Sequence, residues 1–192
     1  MNDRRTAKSK DAIRACFLSL LKQKKLNKIT VAEICRMADI GRGTFYLHYT
    51  DVYDLYGQIE DELCQGLYQL FESCYPTTDA ENSRRLAEGL TLYVEENKDL
   101  FLLLVRSENN RSLQKLLAVF HEKVIMESRK LHPEANLEYE AVEAIFAVSG
   151  IVGVLEQWLR GGMRYPRAAI AGMLNAIMCK LNARPEANSA AQ

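Results

Sequence analysis

Apolar residues recur along this chain at spacings of three and four over long stretches, and those stretches predict helices almost from end to end. Ile13, Cys16, Phe17, Leu20 and Leu21 make one stripe. It predicts a first helix over about residues 8–24, whose other faces are Lys and Arg. Thr30-Val31-Ala32-Glu33 has capping-box form, a hydroxyl at the N-cap and a glutamate three residues on. It opens a second helix that buries Val31, Ile34, Cys35 and Ala38. Asp39-Ile40-Gly41 breaks that helix, and the sharp reversal falls to Gly41 or its neighbour, because glycine tolerates it best. A short third helix, about 42–48, would turn Phe45 and Tyr49 inward. Arg42, Gly43, Tyr46 and Leu47 would then face out, with Thr44 and His48 on the flanks. Two small helices joined by a tight turn and braced by a first make a helix-turn-helix.

Asp51 and Asp54 stand at N-cap and N3 of a long fourth helix reaching about residue 74, with Leu55, Ile59, Leu63, Leu67 and Leu70 along one side. Pro76-Thr77-Thr78-Asp79 ends it. Further helices are predicted over about 83–96, 100–105, 112–131, 137–160 and 166–181. His132-Pro133 and Gly161-Gly162 act as stops, and Pro166 sits near a first turn. The expected fold is all-α with about nine helices. A helix-turn-helix domain covers 1–50, a larger helical domain covers 51–183, and 184–192 form a flexible tail.

Composition agrees: 48% of the 192 residues are apolar, with only four prolines and ten glycines. Net charge is zero, but residues 1–50 hold 11 Lys and Arg against 4 Asp and Glu, and the remainder holds 14 against 21. A basic head on an acidic body either meets a polyanion or is merely a solvated surface. Five scattered cysteines without a C-x-x-C argue against a disulfide framework and a zinc ribbon. His48 has no second His or Cys at ligand spacing, so no metal is expected. The N-terminus has no apolar signal core, and charged residues cut every apolar run short of a membrane span, so a cytoplasmic protein with no membrane partner is expected. No G-x-S-x-G, P-loop or H-E-x-x-H occurs, which argues against an enzyme, and no cofactor is expected. Gly41-x-Gly43 is not a dinucleotide loop, because Tyr46 holds the third glycine's place and no strand precedes it.

The stretch "ITVAEICRMADIGRGTFYLHYTDVYDL", about residues 29–55, together with the basic first helix, resembles the TetR family of one-component transcriptional regulators. The match lies in spacing: a capped helix, Ala38, Gly41, then Gly43-Thr44-Phe45-Tyr46 and His48-Tyr49, then a second capped helix. The C-terminal "GIVGVLEQWLRGGMRYP" is similar to one broad subgroup. The resemblance implies that Thr30, Arg42, Thr44, Tyr46 and His48 touch double-stranded DNA. Physical chemistry gives each a role. A recognition helix presents its N-terminal residues to base edges in the major groove. Gly43 lets the backbone approach closely, Thr44 and Tyr46 offer hydroxyls, and Arg42 has a fork suited to guanine or phosphate. Thr30 caps its helix and presents that helix's N-terminus to a phosphate. Lys8, Lys10 and Lys28 supply non-specific attraction. Leu47 reads a thymine methyl or packs. The family often carries a lysine near the start of the fourth helix. Here that place is Val52 or Tyr53, and either Tyr53 substitutes through its hydroxyl or the contact is absent.

The resemblance further implies a homodimer through the last two helices. Gly150 and Gly153 would permit close approach, with Ile170, Leu174, Ile177 and Leu181 as an apolar seam. Reading helices about 34–36 Å apart would then require a near-palindromic operator. A cavity for an unidentified small-molecule effector is expected between the fifth, seventh and eighth helices, lined by Tyr93, Phe101, Phe120, His121, Tyr139, Glu143, Phe146 and Trp158. The function expected is a repressor released from its operator by that effector. The alternative is a helical interaction module, or an activator controlled by a protein partner, with a basic head that is only solvated.

Overall fold

The computed structural model describes residues 3–77, 79–106, 111–131 and 137–182. Among these residues the regular elements are nine α-helices and one 3-10 turn, without a strand. The chain divides into two units, Met1–Leu63 and Cys64–Gln192.

In the first unit α1, Asp3–Leu21, begins earlier than its apolar stripe suggests, because nothing from Asp3 to Ser9 breaks a helix. It buries Ile13, Phe17 and Leu20. It ends where the amides of Gln23 and Lys24 both turn back to the Leu20 carbonyl. A 3-10 turn, Leu26–Lys28, leads to α2, Val31–Met37. Its capping box is complete: the Glu33 amide donates to Thr30 Oγ1 at 3.3 Å, and the Thr30 amide donates to Glu33 Oε2 at 3.1 Å. The reversal after α2 is carried by Asp39, with φ +51, and not by Gly41, whose φ of −71 is ordinary extended backbone. Aspartate is among the few side chains that enter the left-handed region readily. Gly41 is instead the N-cap of α3, Arg42–Tyr46.

Helix α4, Val52–Ser73, starts in this unit. The Asp54 amide donates to Asp51 Oδ1 at 2.8 Å, and Asp54 in turn accepts the Thr50 amide at 2.7 Å. Leu55, Ile59 and Leu63 complete the core. Arg14 and Lys10 of α1 both pair with Glu62 of α4.

The second unit contains the rest of α4 together with α5 Ala80–Glu96, α6 Lys98–Arg106, α7 Arg111–Leu131, α8 Leu137–Arg160 and α9 Arg167–Asn182. Asp79 caps α5, accepting from the amides of Glu81 and Asn82. Helices α5 and α9 pack antiparallel, with Ser83 bonded to Asn175 at 3.2 Å and Arg167 3.2 Å from Glu95. The small residues Ser83, Ala87 and Thr91 are fully or almost fully buried on α5, which allows that close approach. This corrects one expectation. Ile170 and Leu174 lie in the core of their own unit and are not free to form a seam with another molecule. Helix α8 ends at Arg160 and the chain turns away at Gly162, with φ +71, and the Trp158 indole donates to the Tyr165 carbonyl at 2.9 Å.

A second correction concerns α8. Ala141–Arg160 has the length and mean hydropathy, 1.5, of a membrane span by length and composition only, because its charges stand near its ends. Only 28% of that window is buried. The proposed tail at 184–192 and the His132-Pro133 stop lie outside the described residues.

Candidate nucleic-acid interface and apolar cavity

The third helix is anchored from beneath. Phe45 is fully buried and Tyr49 almost so, their ring centroids 5.6 Å apart. That anchoring leaves Gly41, Arg42, Gly43, Tyr46 and Leu47 exposed, with Tyr46 at 56% and Leu47 at 82%, and holds Thr44 and His48 half-buried. A side chain at Gly41 or Gly43 would meet nothing within 4 Å, so nothing inside the chain demands glycine there. His48 shares a 3.0 Å hydrogen bond with Ser9 of α1. Of the two candidates at the start of α4, Val52 is buried and Tyr53 is exposed.

The basic residues divide into two groups. Lys24 lies 2.6 Å from Glu33, and that hydrogen bond, with those from Thr30, holds the Glu33 carboxyl below its ordinary range. Burial would raise the Glu62 carboxyl, but hydrogen bonds from Arg14 and Lys10 outweigh it and hold Glu62 low. Lys10, Arg14 and Lys24 therefore serve carboxylates within the unit, whereas Lys8, Lys28 and Arg42 stand exposed. Thr30 is exposed too, but its hydroxyl and amide both bond to Glu33. The Tyr49 hydroxyl is buried without a hydrogen-bond partner, and burial pushes its pKa up to about 12.

The second unit holds a cavity of about 160 Å³. Its walls come from Leu67 and Phe71 of α4, Leu86, Leu90 and Val94 of α5, and Phe101 of α6. Leu116, Phe120 and Val124 of α7, Val148, Ile151 and Leu155 of α8, and Met178 of α9 add to them. The Phe71 and Phe120 rings lie 5.1 Å apart. Among the described lining residues only Thr77, Glu156 and Asn182 carry polar side chains.

Of the eight expected lining residues, Phe101 and Phe120 reach the cavity. Tyr93 sits behind Phe101, edge to face at 6.0 Å. Trp158 is a buried structural residue bonded to Tyr165, and Tyr139 and Phe146 are 63% and 65% exposed on α8. Glu143 is half-buried, and His121 has a buried Nε2 with no hydrogen-bond partner, but neither lines the cavity. The expected lining was aromatic and polar, whereas the walls are mostly aliphatic. Stripes such as Leu86, Leu90 and Val94, four apart, were the available signal, and they are indistinguishable from ordinary core.

Gly150 is exposed and Gly153 half-buried, and a Cβ on either would meet nothing within 4 Å. Leu181 lines the cavity, while Ile177 is 46% exposed. Beside these, Val142, Ile145 and Phe146 of α8 and Met173 of α9 form apolar exposed surface. Among the described residues no group of His, Cys, Asp and Glu could hold a metal ion.

Residues 81–180 match the family model TetR_C_8, the transcriptional regulator C-terminal region. An uncharacterized HTH-type transcriptional regulator, YxbF of Bacillus subtilis (strain 168), is 26% identical over 96 residues. That match spans 48% of this chain and 25% of that protein. The fold is also that of the fatty acid degradation regulator FadR from Bacillus halodurans, at TM-score 0.67 and 14% identity over 89% of this chain and 94% of that one. It is likewise that of a TetR-family transcriptional regulator from Syntrophomonas wolfei, at TM-score 0.67 and 16% identity over 95% and 96%.

Proposed function

Because the chain belongs to the TetR family of transcriptional regulators, we propose that it is a cytoplasmic homodimeric repressor. It reads a near-palindromic operator through its first unit, and a small molecule held in the cavity of its second unit releases it. One observation carries the reading: α3 and its C-cap turn Arg42, Tyr46 and Leu47 outward around Gly43, a glycine that nothing inside the chain requires. Gly43 admits the duplex backbone, Arg42 addresses guanine or phosphate, Thr44 and Tyr46 offer hydroxyls, and Leu47 meets a thymine methyl. Lys8, Lys28, Tyr53 and the Thr30 cap stand toward phosphates. His48 acts through its bond to Ser9, which holds α3 against α1.

The dimer is built on the exposed apolar side chains of α8 and α9, Val142, Ile145, Phe146, Met173 and Ile177, with Gly150 and Gly153 allowing the helices close approach. Helix α4 begins in the first unit and supplies Leu67 and Phe71 to the cavity in the second. A ligand that favours a displaced α4 therefore changes the operator-reading geometry. It releases DNA only by as much as its affinity differs between the two conformations.

The test is a gel shift of the full chain on the promoter DNA flanking its own gene, across a salt series. Retention should weaken steeply with salt, as counterion release demands. Tyr46→Ala should weaken it by roughly tenfold or more, the scale of one lost base or phosphate contact. Circular dichroism should be unchanged, because Tyr46 is more than half exposed. Salt-insensitive or absent retention refutes the reading.

A further inference from the structure

Resting on the reading of this cavity as the effector site, we infer that the effector is an uncharged, elongated apolar molecule. The cavity discriminates against the same skeleton when it ends in a carboxylate or phosphate. Two independent features of the walls support this.

The first is shape. Helix α8 lines the cavity from Ala147 to Leu159, a run of roughly 18 Å at 1.5 Å per residue. Helix α5 contributes from Leu86 to Val94, and α7 from Leu116 to Val124, roughly 12 Å each. Walls extended along several helices suit a long molecule better than a compact one.

The second is charge. Among the described lining residues there is no Lys, Arg or His, and the one ionisable side chain is acidic, Glu156. Thr77, also on the wall, donates to Glu127 at 3.0 Å, and Glu127 is only 2% exposed. Asn182 donates to the Thr77 carbonyl at 3.0 Å. The polar atoms at the cavity therefore lie beside two carboxylates. Two described cations near the lining are engaged elsewhere. Arg160 is 2.7 Å from Glu156 and donates to the Val105 carbonyl, and Lys123 is 2.5 Å from Glu72 and lies over the Tyr68 ring. An anionic head seated among the apolar walls would meet no counter-charge from the described lining residues, and one at the polar end would face Glu156; burying an unpaired anion is expensive.

The experiment uses the full chain at pH 8 with the neutral fluorophore N-phenyl-1-naphthylamine as probe, displaced by 1-dodecanol or by laurate, which share one alkyl chain. Dodecanol should displace the probe at least about tenfold more effectively. Glu156→Gln removes the acidic wall group and frees Arg160, so it should narrow the gap by tightening laurate more than dodecanol. Val148→Phe and, as a second filling variant, Leu117→Phe should weaken probe binding with circular dichroism preserved. Val119→Trp, at an exposed position of α7, should not.

Laurate binding as well as dodecanol, a gap unaltered in Glu156→Gln, or a folded chain that takes up no probe would each overturn the inference. The same chain is run in the gel shift, which separates the two readings. Dodecanol that binds without altering operator retention leaves the ligand class standing and defeats the release mechanism. A folded chain that takes up no probe but still retains the operator defeats the ligand class and leaves the DNA-reading proposal standing.

Discussion

Gly66→Ala probes how tightly α4 is seated in the second unit. A Cβ added at Gly66 would fall inside contact distance of the Tyr93 hydroxyl, 2.6 Å from its Cζ and 3.0 Å from its Cε2. Bending the far end of Tyr93 aside does not relieve this, because hydroxyl, Cζ and Cε2 belong to one rigid ring. Swinging the whole ring aside disturbs its edge-to-face packing on Phe101. Alanine in place of a mid-helix glycine contributes about 0.5–1 kcal/mol. Against it stand overpacking of about 1–3 kcal/mol and a disturbed aromatic pair worth about 0.5–1.5 kcal/mol. The net expectation is a loss of about 0.5–4 kcal/mol, or roughly 1–16 °C in melting temperature at about 2–4 °C per kcal/mol for a chain of this size. Thermal unfolding by circular dichroism at one fixed protein concentration measures it, since association would otherwise shift the midpoint. Combining Gly66→Ala with Tyr93→Ala removes the clash, so the double variant should lose less than the two single losses added, by about 1–2 kcal/mol. A Gly66→Ala chain that melts higher than the parent with Tyr93 in place refutes the reasoning, because helix propensity alone would then have decided the outcome.

Tyr49→Phe deletes a buried hydroxyl that has no hydrogen-bond partner, and should stabilise the first unit by about 1 kcal/mol in urea unfolding. The raised Tyr49 pKa gives stability that is fully present below the ordinary tyrosine value and lost as pH rises toward about 12, so the alkaline decline should shrink in that variant. Thr30→Ala should cost about 1 kcal/mol through loss of the cap, read from the same unfolding curve. The Glu33, Asp54 and Glu62 carboxyls are all held below their ordinary range, so their contribution is present above the usual carboxylate pKa and lost as pH falls through the lowered values. Glu33→Gln should flatten that acid limb. Phe146→Glu places a charge on the exposed face of α8 and should shift sedimentation to the monomer with helicity retained, whereas an unchanged sedimentation profile would remove this face from the interface.

Helix phase was legible wherever one stripe had one burial partner within a few turns. The inward Phe45 and Tyr49, the outward Arg42, Gly43, Tyr46 and Leu47, and the Thr30–Glu33 box all follow from spacing along a short piece of chain. The turn after α2 did not, because glycine and aspartate both reach positive φ, and only the path into α3 selects Asp39. Periodicity also gave no warning that α8 carries the composition of a membrane span, since its charges sit near its ends.

What the sequence determined by itself is local: which residues turn, which faces are apolar, and where a basic head gives way to an acidic body. Only the tertiary structure decided what each apolar face meets. The stripe of α9 is buried against the small residues of α5, that of α8 is shared between cavity wall and exposed surface, and Phe146 and Tyr139 fall on the exposed side. The physical reason is that an apolar stripe specifies a direction from the helix axis and carries no identity for the surface in that direction. A core, a ligand cavity and a partner helix all remove the same area from water, and only the packing of the other helices separates them.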